Sequence, residues 1–342
     1  MKKLFSNYIF NFCLIIAIGA LVMYISLSGN IEGVFEAFSN IRIEYILLCV
    51  FMALFWQFSV GLVLTLFTRL SHPKYRIGQG FVNALVASFF HGITPSASGG
   101  QIAQFYVFRK QGVPIGDSGS VLWTEFIVYQ TTMCVLGLIL IVLKFPFFYR
   151  EYSSLFIFVL IGFIINASII FALYALARFK KVHAWISTKG VDLAYKFHLI
   201  KNKNDAIASI NMQLEKFQTE AANLKDRKKE LFIAVVLCVV RLVFYYAIPF
   251  VIFIAMGAEG SFDLFLDCLA MGSFVSIASG LIPIPGASGG TEAIFVLMFG
   301  NLFTKGMATT AMLIWRFLTY YLMMFIGGAC FIYIKMMKVE ES

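Results

Sequence analysis

The stretch Pro95-Ser-Ala-Ser-Gly-Gly-Gln-Ile-Ala-Gln-Phe105 recurs later in the chain as Pro285-Gly-Ala-Ser-Gly-Gly-Thr-Glu-Ala-Ile-Phe295, with seven of the eleven letters identical. Both copies lie inside long hydrophobic stretches. Proline lacks a backbone N–H and glycine weakens a helix, so each copy predicts a break in a membrane helix. Broken helices at corresponding places in the two halves of a chain are typical of transporter binding sites.

The composition is that of a protein with many membrane spans. Of the 342 residues, 60% are hydrophobic and 13% are charged, and the mean hydropathy is +0.85. Several stretches exceed the roughly 20 apolar residues that a helix needs to cross a bilayer. The net charge of +9 fits lysines and arginines in cytoplasmic loops, and we expect no nucleic-acid partner. The six cysteines lie apart in apolar segments, which indicates neither a disulfide framework nor a metal site, and we expect no cofactor.

The charges that flank the apolar stretches predict the topology. Lysines at the start of the chain and after its final apolar stretch place both termini in the cytoplasm. Residues 77–108 have basic residues at both ends, so we interpret them as a re-entrant hairpin that enters from the cytoplasmic side. Residues 264–299 must then begin and end on the outer side, as a second hairpin. The predicted full spans number about six, at residues 8–28, 44–68, 118–143, 153–177, 231–257 and 306–334.

The two hairpins point in opposite directions, so we predict an all-α polytopic membrane protein built as an inverted repeat. The repeats cover about residues 44–144 and 231–335, within a single membrane domain of residues 1–342. A second recurring pattern supports the repeat. Trp-x5-Tyr follows each hairpin, and its two copies are separated by nearly the same number of residues as the two copies of the motif. The alternative is coincidence, since small-residue motifs that pack helices recur by chance in membrane proteins.

The hydrophilic region of about residues 178–230 separates the repeats. It carries twelve Lys/Arg against six Asp/Glu, with apolar residues scattered between the lysines of its first half. This pattern suits cytoplasmic amphipathic helices that lie on an anionic leaflet surface. An ordinary solvated loop accounts for it equally well.

Each break predicts a binding site for an anionic headgroup. A broken helix leaves backbone N–H groups accessible, and the helix that follows presents the partial positive charge of its N-terminus. Glu292 has a second interpretation, as a cap for its own helix. The predicted substrate-binding residues at the two breaks are Ser98, Gly99, Gly100, Gln101, Gln104, Ser288, Gly289, Gly290, Thr291 and Glu292.

Three further charges, Glu125, Arg241 and Arg316, lie at depths where a bilayer makes them costly. Charges there face the protein interior and usually pair, so purely structural ion pairs are one interpretation. In the other, at least one arginine binds a phosphate, whose oxygens match the guanidinium fork, while the glutamates bind a cationic group or a proton. We therefore add these three to the predicted substrate-binding residues.

Enzymatic activity is not expected. The sequence has no Walker A motif, no HExxH and no GxSxG, and its hydrophilic region is too short for a catalytic domain. It also shows no nucleophile–base pair and no set of metal ligands. We predict a transporter-like protein with no catalytic residues.

The motifs together resemble the flippase-like membrane domain of the lysylphosphatidylglycerol synthetase/flippase family, which includes the multiple peptide resistance factor and its stand-alone relatives. The resemblance implies a multi-pass protein of the bacterial cytoplasmic membrane that moves a phospholipid or glycolipid headgroup between leaflets, such as aminoacylated phosphatidylglycerol. Full-length relatives add a cytoplasmic domain that transfers lysine from tRNA, which we expect to be absent because the chain stops at Ser342. The residues that carry the resemblance are Thr94-Pro95-x-x-x-Gly99-Gly100, Pro283-x-Pro285-Gly286-x-x-Gly289-Gly290-x-Glu292 and Trp315-Arg316.

Two alternative functions use the same features. One is a secondary transporter of a small soluble anion, because an inverted repeat with broken helices suits ions as well as lipids. The other is a non-transporting partner that presents lipid to a separate lipid synthase.

Overall fold

The structure, a computed structural model, describes most of both predicted repeats. The predicted first span, Ser98 and most of the region 178–230 lie outside the described residues. The described residues are 36, 39, 41–94, 99–152, 161–168, 171–172, 175, 188–189, 191–196, 202–204, 207, 211 and 227–336.

These residues form an all-helical structure, with no strand among them. They also include a 3-10 turn (Pro285–Ala287) and a π-helical turn (Phe317–Tyr321). Residues 161–168, in the predicted fourth span, are also helical. The helices are α1 (Ile43–Thr68), α2 (Ile77–Ile93), α3 (Gly99–Lys110), α4 (Ile115–Leu143), α5 (Phe145–Glu151), α6 (Val191–Lys196), α7 (Lys228–Ala255), α8 (Phe262–Ser279), α9 (Gly290–Phe299), α10 (Lys305–Arg316) and α11 (Leu322–Met336).

Five of the described helical segments are long and apolar enough to cross a membrane. They are α1, α4, α7, α8 and the continuous segment Lys305–Met336, which joins α10 and α11. The prediction of a multi-pass, all-α membrane protein is confirmed. The helix α8 reaches spanning length where the sequence predicts one arm of a hairpin, whereas α2, the corresponding arm of the first hairpin, is shorter.

The first helices of the two predicted repeats, α1 and α7, pack side by side in opposite directions. At one end, the backbone N–H of Arg42 donates to the carbonyl of Ala255 at 3.0 Å. Further along, the rings of Trp56 and Tyr245 stack with their centroids 5.0 Å apart. Equivalent helices that run antiparallel are what an inverted repeat requires.

Helices α2 and α3 form a helix–break–helix hairpin. At its open end, the side chain of Gln111 donates to the carbonyl of Gln79 at 3.0 Å, so the start of α2 lies beside the end of α3. At its closed end, the backbone N–H of Gly99 donates to Oγ1 of Thr94 at 2.9 Å. The open end lies at the start of α4, where His72 contacts the α4 carboxylate of Asp117 at 2.8 Å.

Helices α8 and α9 form a second helix–break–helix hairpin, whose open end lies at the other end of α4. Lys144, which directly follows α4, forms an ion pair with Asp267 near the start of α8 at 2.9 Å. The hydroxyl of Tyr152 donates to the carbonyl of Met298 near the end of α9. The two hairpins therefore open at opposite ends of the bundle.

Each hairpin is packed against the last span of the other predicted repeat. Helix α11 packs on α2, and α4 packs on α8. Within each repeat, the first span also contacts its own hairpin, as α1 contacts α2 and α7 contacts α8. The position of the bilayer and the cytoplasmic location of the termini stay predictions.

Candidate functional site

Tyr320, in the π-helical turn, connects the end of α2 to the second break. Its hydroxyl donates to the carbonyl of Gly92, in the last turn of α2, at 3.0 Å. The same hydroxyl packs against the second break, where a Cβ on Gly286 would lie 2.0 Å from it. Single π-helical turns are frequent at functional sites because they turn side chains out of the regular helical phase.

The second break has a backbone that only small residues tolerate. Gly286, Ala287 and Gly289 all have positive φ, at 59°, 51° and 88°. Glycine adopts this left-handed region at little cost, whereas other residues are strained there. At Gly286 a side chain would also collide with Tyr320, so both the dihedral angles and the available space require glycine.

Glu292 and Arg316 hold this break in place. One carboxylate oxygen of Glu292 accepts from the backbone N–H of Gly289 at 2.7 Å, so it caps α9, as one of the two interpretations predicts. The other oxygen accepts from Nε of Arg316 at 2.9 Å. Arg316 Nη2 donates to the carbonyl of Gly286, and its guanidinium lies 4.0 Å from the ring centroid of Tyr320. Both charged side chains are buried.

Glu125 and Arg241 form a second ion pair, between α4 and α7. Nη2 of Arg241 donates to a carboxylate oxygen of Glu125 at 2.9 Å. The guanidinium lies 4.5 Å from the ring centroid of Tyr129, one turn further along α4. The side chain of Arg241 is 1% exposed and that of Glu125 is 16% exposed.

The two arginines differ in how many of their donors are satisfied. In Arg241, the buried Nε and Nη1 have no acceptor within the described part of the chain. A buried donor left without a partner costs about 1–3 kcal/mol. The four predicted charges are therefore brought together as two internal pairs, and one of the pairs keeps unused hydrogen-bonding capacity.

Four of the five residues predicted at the first break, Gly99, Gly100, Gln101 and Gln104, lie in the first half of α3. A Cβ on Gly100 would be 1.4 Å from Cδ2 of His91, so the imidazole occupies the space that a side chain would take. The Nε2 of His91 is buried and has no partner among the described residues. Of the two predicted glutamines, Gln104 is buried and Gln101 is exposed, so the structure brings only Gln104 into the interior.

At the second break, the hydroxyl of Thr291 donates to the hydroxyl of Ser279 at 2.9 Å, which ties the start of α9 to the end of α8. Ser288 is buried, and its hydroxyl has no partner in the part of the chain that is described. Gly290, the first residue of α9, lies against the side chain of Ile282. Among the described residues, no group of three His, Cys, Asp or Glu side chains is placed to hold a metal ion.

Sequence reasoning missed several residues of this region, most importantly Tyr320 and Trp56. The Trp-x5-Tyr pattern that supports the repeat includes the neighbouring Tyr321, and it assigned no role to Tyr320. A π-helical turn shifts the helical phase by one residue, and nothing in the local sequence announces it. No feature of the sequence around Trp56 indicated a functional role, because it is one aromatic residue within a predicted span.

The comparison with protein families gives one match that covers most of the chain. The family described as lysylphosphatidylglycerol synthase TM region matches residues 12–327, which include both breaks and both ion pairs. The comparisons with curated proteins and with solved structures gave no match. The matching region is the membrane part of such synthases, which does not carry their catalytic domain. The resemblance seen in the motifs is confirmed, and the chain belongs to the lysylphosphatidylglycerol synthase transmembrane-region family.

Proposed function

We propose that the protein moves the headgroup of a phospholipid or glycolipid between the leaflets of the bacterial cytoplasmic membrane. The observation that carries the proposal is the contact of Tyr320 with both hairpins, with Gly92 in the last turn of α2 on one side and with Gly286 in the second break on the other. Two hairpins that open at opposite ends of a bundle and meet through one residue suit alternating access to a central site. Membership in a family of lipid-synthase membrane regions supports a lipid-related role.

In the proposed mechanism, the headgroup crosses through the protein while the acyl chains stay in the lipid. The starts of α3 and α9 offer backbone N–H groups and positive dipole ends to the phosphate. Non-helical backbone at membrane depth is tolerated where it is buried in protein or lines a watery cavity, which is where such a path would run. The predicted binding residues at the breaks and the two ion pairs are the polar groups along it. Aminoacylated phosphatidylglycerol is the first substrate to test, because of the family to which the chain belongs.

The test is a translocation assay in proteoliposomes. Fluorescent phosphatidylglycerol in the inner leaflet is protected from dithionite until the protein moves it outward. We expect the protein to accelerate translocation of phosphatidylglycerol or its aminoacylated form above the rate in protein-free vesicles. Gly286→Ala should abolish the acceleration, because the new Cβ collides with the Tyr320 hydroxyl and the φ of 59° disfavours alanine.

The matched control is Gly78→Ala in the first turn of α2, where a Cβ meets nothing within 4 Å. Both variants are first compared with the unmodified protein by size exclusion, so that a misfolded sample is not scored as inactive. The proposal is refuted if the unmodified protein moves neither these lipids nor a polyprenyl-linked sugar. Uptake of a soluble anion into sealed vesicles without lipid movement would support the secondary transporter instead.

A further inference from the structure

The difference between the two buried arginines separates their roles. Arg316 uses its Nε for Glu292 and its Nη2 for the carbonyl of Gly286, and its guanidinium face lies over Tyr320. These contacts all converge on the second break, so Arg316 fixes the conformation of the break. Arg241 has one hydrogen-bonded partner, Glu125, and two nitrogens that no described acceptor reaches.

More unused donors lie in the same layer of the bundle. One helical turn after Arg241, the ring of Tyr245 contacts the rings of Trp56 and Trp315, with ring centroids 5.0 Å and 6.0 Å away. The indole Nε1 of each tryptophan is buried and has no acceptor among the described residues. Indole and guanidinium N–H groups are donors only, and an oxyanion is the ligand that satisfies several donors at once.

Glu125 now occupies one of the positions that such an oxyanion would take. An oxyanion that binds a guanidinium with two parallel hydrogen bonds uses Nη2 together with either Nε or Nη1. Glu125 accepts from one of the two N–H groups of Nη2, so it blocks one of these two arrangements. Its side chain is the more exposed partner of the pair, whereas Arg241 is buried.

We propose that Arg241 binds the phosphate of the translocated lipid, in a site that Trp56 and Trp315 complete and that Glu125 occupies in part when no lipid is bound. The chemistry of the site is that of a phosphate monoanion, either in a lipid headgroup or as free inorganic phosphate. Its assignment to a lipid rests on the function proposed above. Glu125 is then a competitor of the substrate, and Arg316 is a positioning residue that acts through the second break.

The experiment is a binding titration that uses the tryptophans of the site as reporters. The chain has four tryptophans, so Trp123→Phe and Trp185→Phe leave only the two that contact Tyr245. The purified protein in dodecyl maltoside is titrated with dioleoylphosphatidylglycerol and, in a second arm, with inorganic phosphate. We expect a saturable change in fluorescence with the lipid, and no change with phosphate at equal concentration.

The variants are expected to act in opposite directions. Glu125→Gln removes the competing carboxylate and should tighten lipid binding about tenfold, whereas Arg241→Gln should weaken it by about tenfold or more. Arg241→Lys keeps the charge without the planar fork and should weaken binding as well. Arg109→Gln, which removes an exposed arginine at the end of α3, is the matched control and should leave affinity unchanged.

The inference is overturned if Glu125→Gln binds no more tightly than the unmodified protein, or if no variant gives a saturable signal, since water would then satisfy the donors. Binding of inorganic phosphate as tight as that of the lipid would overturn the assignment to a lipid. The same proteins in the translocation assay separate this inference from the proposed function. Translocation that survives Arg241→Gln refutes the site alone, whereas intact binding without any translocation refutes the function alone.

Discussion

The contact between α11 and α2 is so close at Gly327 that a single added methyl group should force the helices apart. A Cβ at this position would lie 2.1 Å from the carbonyl oxygen of Leu85, and ordinary contact begins at 3.4 Å. The obstacle is backbone, so the two helices must separate by more than 1 Å. A gap of about 0.5–1 Å already forfeits a quarter to a half of each dispersion contact across it. We therefore expect Gly327→Ala to cost about 1–3 kcal/mol, the usual range for overpacking.

The next residue in the same helix supplies the control. A Cβ on Gly328 would come no closer than 3.3 Å, and its neighbour is the ring of Phe89, a side chain that can move. Both substitutions gain the same helix propensity, about 1 kcal/mol in water, so the difference between them isolates the collision. Gly328→Ala should match the unmodified protein or exceed it slightly.

The assay is thermal unfolding in detergent, followed by tryptophan fluorescence at one fixed heating rate, because unfolding of such proteins is often irreversible. A change of 1 kcal/mol shifts the melting temperature of a protein of about 150–250 residues by about 2–4 °C, so Gly327→Ala should melt several degrees below Gly328→Ala. Hydrogen exchange should show faster opening of α2 in the same variant. Equal melting temperatures for the two variants would refute the packing argument.

Three further changes test other contacts of the site. Glu292→Gln leaves Arg316 buried without its charged partner and should cost about 3–5 kcal/mol in denaturant unfolding; an unchanged midpoint would contradict this. Tyr320→Phe removes the hydrogen bond to Gly92 and should cost about 1 kcal/mol, with faster hydrogen exchange at the end of α2; unchanged exchange would count against the link. Burial lowers the pKa of Lys144, but hydrogen bonds to two aspartates outweigh this and raise it. The Lys144→Met variant should therefore melt at a lower temperature than the unmodified protein, both at pH 7 and at pH 10, because the stabilisation by the ion pairs is lost only as the pH rises through the raised pKa. A difference in melting temperature that has already disappeared at pH 10 would refute the ion pairs.

The parts of the fold that local chemistry determines were predictable from the sequence. A proline and paired glycines within six residues weaken a helix together, so both breaks follow from the motif, and the class of membrane protein follows from composition. The structure begins α3 at Gly99 and α9 at Gly290, inside the two copies of the motif. The predicted spans 44–68, 118–143 and 231–257 agree with the described helices to within a few residues.

The partners across the bundle were not predictable. The sequence identified four buried charges without indicating which glutamate meets which arginine, because the pairs depend on how α4 packs on α7 and α9 on α10. Glu125 and Arg241 are 116 residues apart, and no periodicity within one helix connects them. The role of Tyr320 depends on a helical phase that only tertiary packing creates. The family match identifies the membrane region as a whole and assigns no pairings.

The packing of each hairpin on the last span of the other predicted repeat has a consequence for biosynthesis. Domains and their parts emerge from the ribosome N-terminus first, so α2 and α3 are complete long before α11, the helix that covers α2, has been made. The second hairpin can pack as soon as it is made, because α4, the helix on which α8 packs, has been synthesised before α8 emerges. The close backbone approach at Gly327 can form only at the end of synthesis. In a nascent chain arrested before Leu322, the face of α2 that packs on α11 would thus lack its partner, and this is the state that insertion factors or membrane proteases would encounter.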